Sequence, residues 1–169
     1  MEPQRYLPDR PFPEYAFLPG QHPHPTRSPE GHSFTEESEA PAEYFAPESW
    51  ADNDDYLYGV DLYNHGYLWE AHEAWEGLWH QAKHDPHQAQ HLQGLIQCTA
   101  AALKVRMGQP KGLASLSKLG TGRLEEVAIA RGPEFMGLDV FDFIQAFRTF
   151  AESSPKDAES RPRIELDVA

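Results

Sequence analysis

Tyr67-Leu-Trp-Glu-Ala-His-Glu-Ala-Trp-Glu-Gly-Leu-Trp-His-Gln81 is the stretch on which the fold turns. At about 100° per residue, Leu68, Ala71, His72, Trp75 and Trp79 fall on one stripe, and Glu76 lies on its margin beside Trp69 and His80. The spacing predicts a helix that faces a core with its indole rings, and it predicts that His72 is largely buried. A buried imidazole needs partners for both ring nitrogens, because an unpaired polar group away from water costs roughly 1 to 3 kcal/mol. Glu76, one turn on, is the nearest partner. Burial alone lowers a histidine pKa and a nearby carboxylate raises it, so the sign follows from how dry the pocket is.

Reading outward, Asp54 or Asp55 suits the start of a first helix that runs to about Asn64, and His65-Gly66 supplies the turn into helix two, Tyr67 to Gln81. Asp85-Pro86 then opens helix three with an N-cap residue and a proline at the first helical position. Helix three continues to about Met107, with Leu92, Ile96, Thr99, Leu103 and Met107 as its core stripe and Gln93, Gln97 and Lys104 on its margin. After Gly108-Gln-Pro110, a fourth helix to about Arg131 presents Leu113, Leu116, Gly120, Leu124 and Val127, with Gly120-Thr-Gly122 as a candidate kink. These glycines follow no strand and precede no Gly-Lys-Ser/Thr, which excludes a phosphate-binding loop of that kind. Asp139 caps a last helix to about Glu152 whose core side is Phe141, Ile144, Phe147 and Phe150. The remainder from Ser153 reads as a polar tail that frays. No alternating pattern of convincing length occurs, so no sheet is expected. The expected architecture is all-α, an antiparallel bundle of about five helices joined by short connections.

Ahead of this body (residues 54–152) lies a Pro-, His- and Glu-rich arm, residues 1–53, and behind it the tail, residues 153–169. Ten of the 15 prolines fall in the first 50 residues. Tyr6, Phe12, Tyr15, Phe17 and Leu18 are apolar anchors that a solvated tail does not need, so the arm is expected to lie extended along the helices. Within it, His22-Pro-His24-Pro-Thr-Arg27-Ser-Pro-Glu-Gly-His32 gathers three imidazoles and a guanidinium. It is either a polar, turn-rich strip or the segment by which Arg27 or a histidine closes over His72 and Glu76.

Composition narrows the function classes. A formal net charge of -13 argues against a nucleic-acid partner, since phosphate backbones are bound by clustered Lys and Arg. The start lacks an apolar signal core, and the most apolar helix is interrupted by Gln93, Gln97 and Lys104, so no membrane association and a cytoplasmic location are expected. Cys98 is the single cysteine and sits among apolar neighbours, which excludes an intrachain disulfide and a cysteine-based zinc site and points to inert packing.

Three readings of the His-Glu-x-x-Glu cluster follow. In the first, His72 and Glu76 ligate a divalent metal while Glu73 polarises a bound water, as in His-Glu-x-x-His zinc hydrolases but with a carboxylate for the second histidine. In the second, the same residues form a metal-free acid–base pair for a polar small molecule. In the third, the pair only fixes helix packing. Asn64, Trp69, Gln93, Gln97, Lys104 and Arg27 are the candidate ligand-binding side chains around it. The residues fit a binding site as well as a catalytic one, and if catalytic, hydrolysis suits a paired imidazole and carboxylate. The alternative function is a non-catalytic interaction or oligomerisation module. Ala74, Gly77, Gln81 and Gly94 lie off the core stripes, where small residues permit close approach by the arm or by a second copy of the chain in a homodimer.

Asn64, Gly66, Glu70-Ala-His72-Glu73, Trp75-Glu76 and Trp79, followed by His91-Leu-Gln-Gly-Leu-Ile-Gln97, the Ala100-Ala-Ala run and Lys104 near Gly108, resemble the bacterial and archaeal family called domain of unknown function 309. The resemblance covers roughly residues 56 to 150, and the arm is similar to that of longer members. It implies a small all-helical fold and brings no established activity.

Overall fold

Five α-helices follow one another: α1 (Asp54–Asn64), α2 (Leu68–Gln81), α3 (Pro86–Arg106), α4 (Pro110–Arg131) and α5 (Val140–Glu152). The structure, a computed structural model, describes residues 1–37 and 40–168. The helix starts are set by local chemistry. The side chains of Asn53, Asp85 and Asp139 accept hydrogen bonds from the backbone N–H groups of Tyr56, Gln88 and Asp142, satisfying donors that the helix itself leaves open. Asn53, and not Asp54 or Asp55, is thus the first cap, and the two aspartates instead complement the α1 dipole from its first turn. Gly66 takes φ +90° between α1 and α2, a conformation that costs a side-chain-bearing residue about 1 kcal/mol or more.

Each helix packs against its successor, α3 most extensively on α4. That seam is built on two glycines. A Cβ on Gly94 would lie 2.7 Å from the Leu124 side chain, and one on Gly120 would lie 2.8 Å from the Cys98 sulfur and 2.9 Å from the Gly94 carbonyl oxygen. Gly94 is therefore an interior contact, not part of an outer docking face. Gly120-Thr-Gly122 lies within an unbroken helix. Gly77 does face outward, and the arm passes it there, with Ala42 nearest. Trp75, Tyr56, Tyr63 and Phe147 are the largest fully buried side chains.

Several expectations need correction. The α3 interior is Leu92, Leu95, Cys98, Thr99, Ala101 and Ala102, with Ile96, Leu103 and Met107 half-buried. On α5, Phe141 is 46% exposed and Phe143 takes the inward place. Capping by Asp139 sets the helical phase so that Val140, Phe143, Ile144, Phe147 and Phe150 share one face. A small sheet is present: β1 (Glu134–Phe135) pairs antiparallel with β2 (Leu138–Asp139). Its two-residue turn, Met136 and Gly137, has positive φ at both positions, the backbone such hairpins favour. Strands of two residues contain no alternation to detect.

The segment after α5 does not fray. Ala158, Ile164 and Leu166 are buried. The Asn64 side chain accepts from the Ile164 N–H at 2.8 Å and donates to the Ile164 carbonyl at 2.9 Å, while Arg161 donates to the Tyr63 carbonyl at 2.7 Å. The arm is tied next to this segment, with the Tyr6 hydroxyl accepting from the Leu166 N–H at 2.9 Å. Asp61 on α1, fully buried, accepts from Arg5 Nε at 2.9 Å, Tyr6 N at 2.7 Å and Leu7 N at 2.9 Å. A 3-10 helix, Pro47–Asp52, leads from the arm into α1. No helix among the described residues is long and apolar enough to cross a membrane.

Candidate metal centre

The inward stripe of α2 is Leu68, Ala71, Trp75 and Leu78, and this phase decides where the polar residues go. His72, one position beyond Ala71, comes to the rim with its side chain 26% exposed. The expectation of a largely buried imidazole is corrected accordingly: the stripe continues through Leu78, not Trp79, which turns it away from His72. Glu73 and Glu76 share the rim.

The hydrogen bonds of His72 determine its electronic state. Nδ1 lies 3.0 Å from the Trp69 carbonyl oxygen, which only accepts, so Nδ1 carries the proton. In the neutral ring Nε2 then carries a lone pair, and two acceptors lie close to it: Glu76 Oε2 at 3.0 Å and Glu73 Oε1 at 3.7 Å. Three electron-rich atoms meet only if something positive lies among them, either a second ring proton or a bound cation. One ligand atom from each of His72, Glu73 and Glu76 lies within 4.8 Å of the others. An imidazole nitrogen with two carboxylate oxygens is a donor set for divalent zinc, manganese or iron, and the backbone-anchored Nδ1 is the usual support of a ligating histidine. The residues present therefore fit such an ion. Partial desolvation pushes the Glu73 carboxyl above the usual carboxylate range; His72 pulls it down, Glu76 pushes it up, and His24 and Arg27 of the arm pull it down.

The structure brings Trp69 and Arg27 to this neighbourhood. The Trp69 ring meets the His72 ring edge-on at 6.0 Å and the His24 ring at 5.5 Å, and Arg27 acts on Glu73 through its charge. Other sequence candidates are engaged elsewhere. Asn64 holds the C-terminal segment, Gln97 accepts from Arg123 Nε on α4 at 3.0 Å, and Lys104 donates to Gln109 at 3.0 Å. Gln93 is half-buried, with no side-chain hydrogen bond to the cluster among the described residues.

Two buried polar pairs escaped the sequence reading. Glu70 accepts from the Phe17 N–H at 3.0 Å and pairs with His32 Nε2, both side chains almost inaccessible. The signal lay in the helical phase, which puts Glu70 beside Ala71 and Ala74 and not in solvent, and in an arm with several imidazoles needing partners. On α3, His91 is fully buried, with Nε2 3.3 Å from the Tyr56 hydroxyl oxygen, whose proton goes to the Met136 carbonyl at 2.9 Å. Burial pushes the His91 pKa down to about 3, so this ring is neutral. Burial likewise raises the Cys98 thiol far above neutrality, in keeping with a packing role.

Neither the curated proteins nor the solved structures gave a match to this chain. Residues 56–116 match the family described as "Domain of unknown function (DUF309)". The matched stretch runs from α1 into α4 and contains His72, Glu73 and Glu76, while the arm, with His24, Arg27 and His32, precedes it. The rim of α2 thus lies inside the stretch that is similar to this family.

Proposed function

We propose that His72, Glu73 and Glu76 hold a divalent cation, and that this chain is a metal-dependent small-molecule-binding protein of hydrolytic type. The observation that carries the reading is the His72 tautomer. With Nδ1 fixed on the Trp69 carbonyl, the unprotonated Nε2 of the neutral ring lies 3.0 Å and 3.7 Å from two carboxylate oxygens, a crowding of electron-rich atoms that repels itself unless a positive species accompanies it. His72 and Glu76 are the closer pair and would be the principal ligands. Glu73, the more distant carboxylate and the one whose affinity for a proton is raised, is suited to accept and return a proton. A divalent ion, when bound, supplies Lewis acidity toward water or a substrate oxygen. The Trp69 ring stands edge-on to the His72 ring at 6.0 Å.

The test is equilibrium dialysis of untagged protein against Zn²⁺ or Mn²⁺, with metal content measured per chain. The expected result is one ion in the wild type and none in His72→Ala or Glu76→Gln, with all three proteins folded by circular dichroism. Equal metal content in wild type and variants would overturn the proposal. It would leave the cluster as a surface i,i+4 pair worth about 0.3–0.5 kcal/mol in a non-catalytic helical module.

A further inference from the structure

Three arginines converge on the carboxyl end of α1. Arg161 donates to the carbonyls of Tyr63 at 2.7 Å, Asn64 at 3.4 Å and Ala158 at 2.8 Å, and its guanidinium carbon stands 5.2 Å from the centre of the Tyr63 ring. Arg106, from the last turn of α3, donates to the Gly66 carbonyl at 2.6 Å. A Cβ on Gly66 would lie 3.1 Å from Arg106 Nη2 and 4.0 Å from Arg161 Nη2, so the two like charges share the space over this turn. Arg163, which is exposed, donates to the Met1 carbonyl at 2.6 Å. Arg161 and Arg163 line a cavity of about 380 Å³ between the start of the arm, the end of α1 and the C-terminal segment, together with Glu2 and Glu159.

The negative charge around these guanidiniums does not balance them. A helix carboxyl end amounts to roughly half a negative charge, enough for part of one arginine and not for three. Glu2 is exposed and forms no ion pair among the described residues. Glu159, 74% exposed, lies 3.4 Å from Arg106 Nη2 and 4.0 Å from Arg161 Nη1, both longer than the roughly 2.7–2.9 Å of a formed charge-assisted bond. The Arg161 side chain is only 6% exposed, and its Nε has no partner among the described residues. Burial pulls its pKa below the ordinary value; Tyr63 and Glu159 oppose that shift, and Arg106 and Arg163 add to it. A buried cation held by neutral carbonyls and one loose carboxylate is under-compensated, and this is so in a chain whose formal net charge is -13. The guanidinium fork matches the paired oxygens of a carboxylate or a phosphoryl group. We infer that this cavity is a binding site for a small oxyanion, a phosphate or a carboxylate group, which displaces Glu159 and takes its place against the guanidiniums. The inference is independent of the metal reading, since none of His72, Glu73 and Glu76 lines the cavity.

The experiment titrates the full chain, in metal-free buffer of low ionic strength, with inorganic phosphate and separately with succinate, following backbone amide resonances by nuclear magnetic resonance. The expected result is a saturable shift of residues 63–66 and 159–163, and the tighter of the two probes identifies the preferred oxyanion group. Arg163→Ala, an exposed position, should weaken that binding by roughly 10-fold with the fold retained by circular dichroism. Glu159→Gln removes the internal competitor and should tighten binding several-fold, a gain that a cluster serving only to cap α1 does not produce. Absence of saturable shifts at these residues with either probe would overturn the inference. So would equal binding of chloride, or an affinity unchanged in both variants.

Discussion

Replacing Asp61 with asparagine tests whether the arm is part of the folded unit. The native carboxylate receives Arg5 Nε and Leu7 N on Oδ2 and Tyr6 N on Oδ1, and Asp61 is fully buried. Asparagine has the same shape but one acceptor oxygen, so whichever way the amide is turned, at least one N–H faces an NH₂ group. A charge-assisted bond of this kind is worth about 1.5–3 kcal/mol, and the orphaned donor adds its own desolvation cost. Arg5 is partly exposed, which lessens the charge term, and the sum comes to about 3 kcal/mol. For a chain of 169 residues, an unfolding entropy of about 2.1 cal/mol/K per residue converts this to a fall in Tm of roughly 8 °C. Differential scanning calorimetry at pH 7 measures it, and limited trypsin digestion at Arg5 and Arg27 reports release of the arm. A Tm within about 1 °C of wild type, with unchanged cleavage at Arg5, would refute the reasoning.

Gly120→Ala places a methyl group against the Cys98 backbone nitrogen and the Gly94 carbonyl, and should cost about 1–3 kcal/mol by overpacking, read as a lower urea midpoint with unchanged m. His91 is neutral when folded, with its pKa down to about 3, and titrates near 6.5 when unfolded. The unfolded state therefore binds the extra proton, and the stability His91 contributes is lost as pH falls from about 6.5 toward 3, at up to about 1.4 kcal/mol per unit. His91→Gln should flatten that slope in urea titrations at pH 4.5 to 7, and an unaltered slope would contradict it. Asn64→Ala removes two hydrogen bonds to buried Ile164 and should cost about 2 kcal/mol, with faster hydrogen exchange across residues 158–166.

How much of this could be read from the chain follows from how local each determinant is. Caps such as Asp85 and Asp139 and the breaks at Gly66 and Gly108 act within a few residues, so helix number and limits were readable to within a residue or two. Helical phase is less local. Choosing Trp79 over Leu78 as the inward residue rotated α2 enough to bury His72 on paper, and choosing Phe141 over Phe143 did the same on α5. Determinants separated by long stretches of chain left little trace: the Asn64 clamp on Ile164, the Asp61 anchor for Tyr6 and Leu7, and the partnership of Glu70 with His32. The site was legible in part because its three central residues lie within five positions of one helix. The arm residue that meets Trp69, His24, lies 45 positions before it, and only the unusual grouping of imidazoles with Arg27 hinted at it.

The central claim is that a cation belongs among His72 Nε2, Glu73 and Glu76. Crystals of the wild type and of Glu76→Gln grown with Mn²⁺, with diffraction recorded near the manganese edge, test it most directly. The account predicts an anomalous peak bounded by these three side chains in the wild type, at about 2.0–2.3 Å from His72 Nε2, and no peak there in the variant. A wild-type map with no peak at this rim, and His72 bonded to Glu76 through a ring proton alone, would contradict it.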